Sequence, residues 1–142
     1  MSLFLDTSAL VKLFVQEPGS EAVERAVESD SELYVGPFVN HEFTSAIQRK
    51  RKDRKITVVD ANLTLARFRR CLGLELVPVP FSDPLARRAL ALLERHGPDG
   101  LRTLDAFQMA ACLERQGSVM VTADGILARI AQAQGISTRL IG

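Results

Sequence analysis

Tryptophan is absent, tyrosine occurs once, and only two of the 142 residues are cysteine and two are histidine. Each scarcity closes off a class of chemistry. Two thiols make no disulfide framework, and Cys71 and Cys112 both lie inside apolar helical patterns, where they are expected to be small core residues. With His41 and His96 alone, a histidine-based metal site has little to draw on, and His41-Glu42-Phe43-Thr44-Ser45 lacks the second histidine of a zinc-protease helix. No glycine pattern matches a Walker phosphate loop or a dinucleotide fingerprint, so neither ATP nor NAD has a visible cradle. No apolar run approaches the roughly 18 residues of a membrane-spanning helix. The opening MSLFLDTSAL has no basic region ahead of its short apolar stretch, which argues against a signal peptide. A cytosolic location is therefore expected.

What is present is an ordinary globular composition. Apolar residues make up 46% and charged residues 25%, with 18 Lys and Arg against 17 Asp and Glu for a formal net charge of +1. Disordered, collagenous and coiled-coil chains do not look like this. A chain of this length is expected to form one domain over residues 1–142 and to bury about two-thirds of its unfolded surface.

Along the chain, strand and helix signals alternate. Leu3-Phe4-Leu5 is a short apolar run ending in Asp6-Thr7-Ser8, which can cap the helix traced by Leu10, Leu13 and Phe14. Pro18-Gly19 breaks that helix, and Ser20 can cap a second one carrying Val23 and Val27. Leu33 to Val35 reads as a strand. A long helix from about Val39 turns Phe43, Ala46 and Ile47 inward, and another begins near Thr57, where Thr57 and Asp60 resemble a capping box. Leu74 to Val79 is strand-like, and Ser82-Asp83-Pro84 opens the next helix. After the turn at Gly97-Pro98-Asp99-Gly100 come a helix over about 104–116, a strand over 118–122, a helix after Asp124 and a last strand over 136–140. This alternation predicts a three-layer α/β/α sandwich, its central sheet mainly parallel and its crossovers right-handed.

In such a sheet, helix N-termini and strand C-termini share one edge, where ligands bind. Four acids fall there: Asp6 after the first strand, Asp124 after the strand Val119–Thr122, and Glu42 and Asp105 in the first turns of helices. An Asp at a helix start ordinarily caps free N–H groups, and Asp60 and Asp83 are read that way. Glu42 and Asp105 are different. Val39 and Ala46 share Glu42's face, while Met109 and Cys112 share that of Asp105, so each carboxylate heads a core-facing line. Acids seldom stand there unpartnered, and the nearest basic residues, Lys12 and Arg102, could each point to solvent. A divalent cation resolves the conflict, because oxygen-only ligands suit a hard ion and its charge removes the mutual repulsion. Magnesium or manganese is the natural candidate, and an all-carboxylate site of this kind points to phosphodiester hydrolysis. Thr7, Ser8 and Thr122 could orient ligands or water around the acids.

Together, Asp6-Thr7-Ser8-Ala9-Leu10, Glu42, Arg102-Thr103-Leu104-Asp105-Ala106 and Thr122-Ala123-Asp124 resemble the PIN-domain nucleases, in the order and length of VapC-type toxins. The resemblance spans essentially the whole chain, with no departure at the acidic positions. It implies a magnesium- or manganese-dependent ribonuclease of α/β/α fold, usually a homodimer and inhibited by a small antitoxin protein. In that reading Asp6, Glu42, Asp105 and Asp124 are the catalytic and metal-binding residues. Asp6 and Asp105 are the first-choice direct ligands, with Glu42 or Asp124 acting through water.

Arg49-Lys50-Arg51-Lys52-Asp53-Arg54-Lys55 sets six basic residues against one acid at the end of the helix carrying Glu42. It is either a solvated helix end that favours cations or an RNA-backbone surface built on Arg49, Lys50, Arg51 and Lys52, which Arg67, Arg69 and Arg70 could extend. Base stacking is expected to be minor at 6% aromatic residues. Two other readings remain. A non-catalytic RNA- or protein-binding module would keep the fold and use the edge only as an interface. A phosphoacceptor domain would want an Asp at the end of a central strand and a Lys after a later one, yet the third strand ends in Val77-Pro78-Val79-Pro80.

Overall fold

A computed structural model describes residues 2–28 and 32–142. Five strands, β1 (Ser2–Leu5), β2 (Glu32–Val35), β3 (Leu76–Pro78), β4 (Val119–Thr122) and β5 (Thr138–Leu140), form one sheet of order β3-β2-β1-β4-β5. Every neighbouring pair is parallel. Seven α-helices connect and cover it: α1 (Thr7–Phe14), α2 (Ser20–Glu28), α3 (Val39–Lys52), α4 (Val58–Cys71), α5 (Asp83–His96), α6 (Thr103–Glu114) and α7 (Gly125–Ala133). Among the described residues no helix is long and apolar enough to cross a membrane.

The period-two alternation of the strands creates two cores. Leu3, Leu5, Val35 and Val121 face one way and pack with buried residues of α1 to α4, whereas Phe4 and Met120 face the other way into the residues of α5, α6 and α7. The first core is aromatic. The rings of Phe43 and Phe68 stack at 4.0 Å, and Phe14 meets them edge-on at 5.5 and 5.8 Å. Such pairs contribute about 0.5–1.5 kcal/mol each beyond their buried area, and here they fasten α3 between α1 and α4. Because Glu42 precedes Phe43, the same packing fixes where Glu42 enters the molecule.

The second core is built from small residues. Ala106, Ala110 and Ala111 on α6 and Ala89 on α5 are fully buried, which brings these two helices close together and sets the direction of α6, the helix that carries Asp105.

Local differences from the sequence pattern have simple causes. β3 begins at Leu76 because Gly73 and Leu74 turn the chain after α4, leaving Leu74 exposed, and β5 begins at Thr138 because Ile136 still closes the end of α7 through its bond to Ala131. Cys112 is buried as expected. Cys71, in contrast, is only half-buried at the end of α4, with its thiol toward Glu75.

Candidate active site

The strand order places β1 and β4 side by side at the centre of the sheet, with the connections leaving to opposite sides. Sheets of this type open a crevice at that switch point, beyond the strand C-termini. A cleft of about 540 Å³ lies there, walled by Asp6, Glu42, Asp105 and Asp124 together with Thr7, Ser8, Ser45, Arg49, Arg102 and Gln108. All four acids singled out from the sequence meet in this one cleft.

Asp6 and Asp124 reach it as helix caps. Asp6 Oδ1 accepts a bond from the Ala9 amide at 3.1 Å, and Asp124 Oδ1 accepts from the Ile126 and Leu127 amides. Capping and cleft-lining are therefore not alternatives at these two positions. The first is built into a network: Ser8 Oγ donates to Asp6 Oδ1 at 2.6 Å and Thr122 Oγ1 donates to Asp6 Oδ2 at 2.9 Å. In turn, the Ala123 amide donates to Ser8 Oγ and the Asp124 amide to Thr122 Oγ1. These bonds join the ends of β1 and β4, so the hydroxyls of Ser8 and Thr122 hold the acids in place.

Glu42 and Asp105 are not the cap residues of their helices, although Asp105 takes a bond from the backbone amide of Arg102. The helices that bear them, α3 and α6, begin at Phe38 and Arg102 without a side-chain cap, leaving amide-rich, partly positive helix ends near the acids. Glu42 Oε1 accepts from Gln108 Nε2 at 3.0 Å, and the same nitrogen lies 3.2 Å from Thr7 Oγ1. Asp105 Oδ2 is 3.4 Å from Arg102 Nε, and Asp124 Oδ2 is 3.9 Å from the Arg102 guanidinium. Arg102 is 79% exposed, so both contacts are screened by solvent. Lys12 turns away to Glu17 and the Pro18 carbonyl.

The electrostatics follow from this shortage of cations. Burial pushes the Asp6 carboxyl up to about 6, with Asp105 adding to the rise and the bonds from Ser8, Ala9 and Thr122 opposing it. Burial likewise raises Glu42 to about 7, helped by the charges of Asp6 and Asp105 and opposed by Thr7 and Gln108. Asp105 is raised by burial and by Asp124 against the pull of Arg102. The acids therefore interact with one another across the cleft.

The donor set is wholly oxygen. Among the described residues no three acidic, histidine or cysteine side chains are arranged to hold an ion directly. A hard cation such as magnesium keeps several waters and takes one or two carboxylates, and this set fits that largely hydrated mode.

The residues of the basic run make different contacts. Arg49 reaches the cleft wall and donates to Ser45, Lys50 is 2.6 Å from Glu17, and Arg51 lies with Arg54 and Lys55 beside the start of α4. Arg67 donates to the Phe14 carbonyl and Arg69 to Thr44, so these two tie α4 to its neighbours.

Sequence reasoning passed over Gln108. It is buried to 3% exposure, one turn beyond Asp105 on the same core-facing line. A long amide amid alanines and a methionine was the available signal.

Comparison with known proteins gives the same picture. A family model described as "PIN domain" matches residues 3–133. Among solved structures, VapC20 of Mycobacterium tuberculosis, described as a sarcin-ricin loop cleaving toxin, is 18% identical with a TM-score of 0.71, over 94% of this chain and 95% of that one. The FitAcB structure from Neisseria gonorrhoeae is 14% identical with a TM-score of 0.69, over 97% and 96% of the two chains. VapBC2 of Rickettsia felis, bound to a promoter DNA fragment, is 15% identical with a TM-score of 0.68 over the full length of both. A comparison with curated protein sequences finds no match. With the family model covering nearly the whole sequence and the same fold recurring in these structures, the chain belongs to the PIN domain family.

Proposed function

We propose that this chain is a single-domain, divalent-metal-dependent endoribonuclease that hydrolyses RNA phosphodiester bonds. One observation carries the reading: four carboxylates from four segments line a single cleft at the switch point of the sheet, against two arginines on its lining, Arg49, which donates to Ser45, and the exposed Arg102. The wider reading makes it the cytoplasmic toxin of a toxin–antitoxin pair, restrained by a small antitoxin protein and working as a homodimer. That reading is supported by its likeness in fold to VapC20, FitAcB and VapBC2.

In this mechanism Asp6 and Asp105 would hold a Mg2+ or Mn2+ ion directly, with Glu42 or Asp124 acting through its water shell. The ion would supply charge neutralisation at the scissile phosphate and a more acidic water. The remaining work falls to the chain. Ser8 and Thr122 keep Asp6 in one orientation, so the acid needs no rearrangement as charge develops. Burial and its acidic neighbours raise Glu42 to about 7 in the metal-free cleft, so an ion bound there would draw its carboxyl toward the charged form, ready to accept a hydrogen bond from water. Arg49 and Arg102 stand at the wall and rim of the cleft, where each can meet a flanking phosphate and fix the register of the strand without reading its bases.

The deciding experiment is a digest of total RNA by wild type and Asp6→Asn, with magnesium and with chelator, mapped by end sequencing. Cuts made only by wild type with metal support the reading. RNA bound but uncut under every condition would return the chain to a non-catalytic binding module.

A further inference from the structure

Gln108 makes contact with three of the four segments that build the cleft. It sits on α6 three residues after Asp105, donates across to Glu42 on α3, and reaches Thr7, the neighbour of Asp6. Its amide carbonyl Oε1 is buried and accepts no protein hydrogen bond, which is a costly arrangement for a polar atom. The reason lies on the opposite side. That oxygen is pressed against Gly36, just beyond β2, where a Cβ would stand 2.8 Å from Oε1 and 3.3 Å from the amide carbon. Gly36 is buried, and its backbone lies outside the left-handed region, so what excludes a side chain there is Gln108 and not the turn.

We propose that Gln108 and Gly36 form a clamp that positions Glu42. In this assignment Gln108 is a positioning residue that acts through the Glu42 carboxylate: its Nε2 holds Oε1 alongside the bond from the Thr7 hydroxyl, and the glycine leaves room for the amide to seat that deeply. The assignment explains the orphaned carbonyl. Turning the amide over would give Oε1 a different environment but would set an acceptor against Glu42. It also explains why a glycine without left-handed backbone stands at position 36. Adding a methyl there is cheap for the core, because the atom displaced is the far end of a flexible side chain. The displacement is costly for Glu42, which loses one of its two side-chain donors and keeps the Thr7 hydroxyl alone.

The proposal rests on the metal-dependent reading of the cleft for its consequence, though not for the clamp itself, so two readouts are needed. The first needs no metal: the Gln108 side-chain amide pair in a 15N–1H spectrum, assigned by its loss in Gln108→Ala, should move to solvent-like shift and exchange in Gly36→Ala. The second is Mn2+ affinity followed by electron paramagnetic resonance at pH 8.5. Outer-sphere partners of metal ligands typically contribute 10–100-fold in affinity, so Gly36→Ala and Gln108→Ala should each weaken binding on the order of tenfold. The double variant Gly36→Ala/Gln108→Ala should bind no more weakly than Gln108→Ala alone, since truncation removes what the methyl would strike. Gln108→Met, which fills the same volume without an amide, keeps the test valid if the alanine variant unfolds, and it should weaken Mn2+ while retaining the fold. An unmoved amide signal in Gly36→Ala, or additive losses in the double variant, would overturn the clamp. If wild type binds no Mn2+ at all, the functional reading falls, and the amide signal still decides whether Gln108 and Gly36 hold Glu42.

Discussion

Two groups of sheltered acids on the α3 side of the molecule are treated in opposite ways. Glu17, beyond the end of α1, meets Lys50 Nζ at 2.6 Å and Lys12 Nζ at 3.3 Å. Burial works against its charged form, yet the bond to Lys50 and the two lysine charges hold it below the usual carboxylate range. In the cleft, Asp6 and Glu42 are buried to a similar or greater degree, no lysine approaches them, and their carboxyls rise to about 6 and 7. The chain can neutralise a sheltered acid where structure alone is at stake. Where it leaves several acids around one space without such partners, the cost appears in their raised carboxyl values, and a bound cation is what the proposed function would supply in place of protons.

The comparison breaks most sharply on activity. Asp6→Asn and Asp105→Asn should each lower RNA cleavage by more than about a hundredfold, beyond the loss typical of a residue that only supports a ligand, while circular dichroism shows an intact fold. Cleavage within tenfold of wild type by either variant would remove the acids from the chemistry.

Stability should sharpen it next. Near neutral pH the metal-free protein should gain up to about 3 kcal/mol from Asp6→Asn, since its raised carboxyl resists ionisation by roughly two pH units at about 1.4 kcal/mol each. Glu17→Gln should instead lose about 1 kcal/mol, a small figure because that ion pair is partly solvated. Urea denaturation of the chelated proteins gives both numbers, and a loss in Asp6→Asn would mean that its hydrogen bonds outweigh its burial. Magnesium at a hundred times its dissociation constant should stabilise wild type by about 2.7 kcal/mol, and Asp105→Asn by much less. Equal shifts in melting temperature would separate Asp105 from any ion.

The pH dependence has opposite signs in the two regions. Asp6 and Glu42 have folded values above their ordinary ones, so their contribution is fully present below about pH 4 and is lost as pH rises through about 6 to 7. Glu17, held low, contributes above its ordinary value and loses that contribution as pH falls through its lowered one. Metal-free wild type should therefore lose stability between pH 5 and 8, and Asp6→Asn/Glu42→Gln should be nearly flat there; a parallel slope in the two would refute the assignment.

The smallest effect concerns the basic run. Arg51→Gln/Lys52→Gln should lower the salt dependence of RNA binding by up to about 0.7 per lost phosphate contact. Lys50→Gln should act mainly on stability through Glu17. A salt slope that shifts equally in the two variants would make Lys50 a second backbone contact.

Which of these features could be read from the sequence depends on range. Asp6, Glu42, Asp105 and Asp124 were legible because each sits at a strand end or helix start, a local signal, and the alternating topology then brings those ends to one edge. The α/β/α layering was legible for the same reason. Pairings between distant residues were not. Nothing local says that Lys50 belongs to Glu17, 33 positions away, or that Arg67 serves the Phe14 carbonyl, and so the sequence left the basic run open between a solvated helix end and an RNA-backbone surface. Gln108 escaped because its partners, Thr7 and Glu42, lie 101 and 66 residues away. Cys71 fits an apolar helical stripe, yet that stripe runs out to the surface at the last turn of α4.

The bonds that join β1 to β4 have a consequence for biosynthesis. The Asp6 amide donates to the Val121 carbonyl and the Asp6 carboxylate accepts from Thr122, a residue made 116 positions later. At synthesis rates near 5–20 residues per second, roughly 6 to 23 seconds of translation separate the two halves of that contact. The first strand therefore leaves the ribosome without its β4 neighbour, and until that strand is made Asp6 has only its local bonds from Ser8 and Ala9. Truncated products that end before β4 can carry Asp6, Glu42 and Asp105 in full and still lack the frame that holds Asp6 in place.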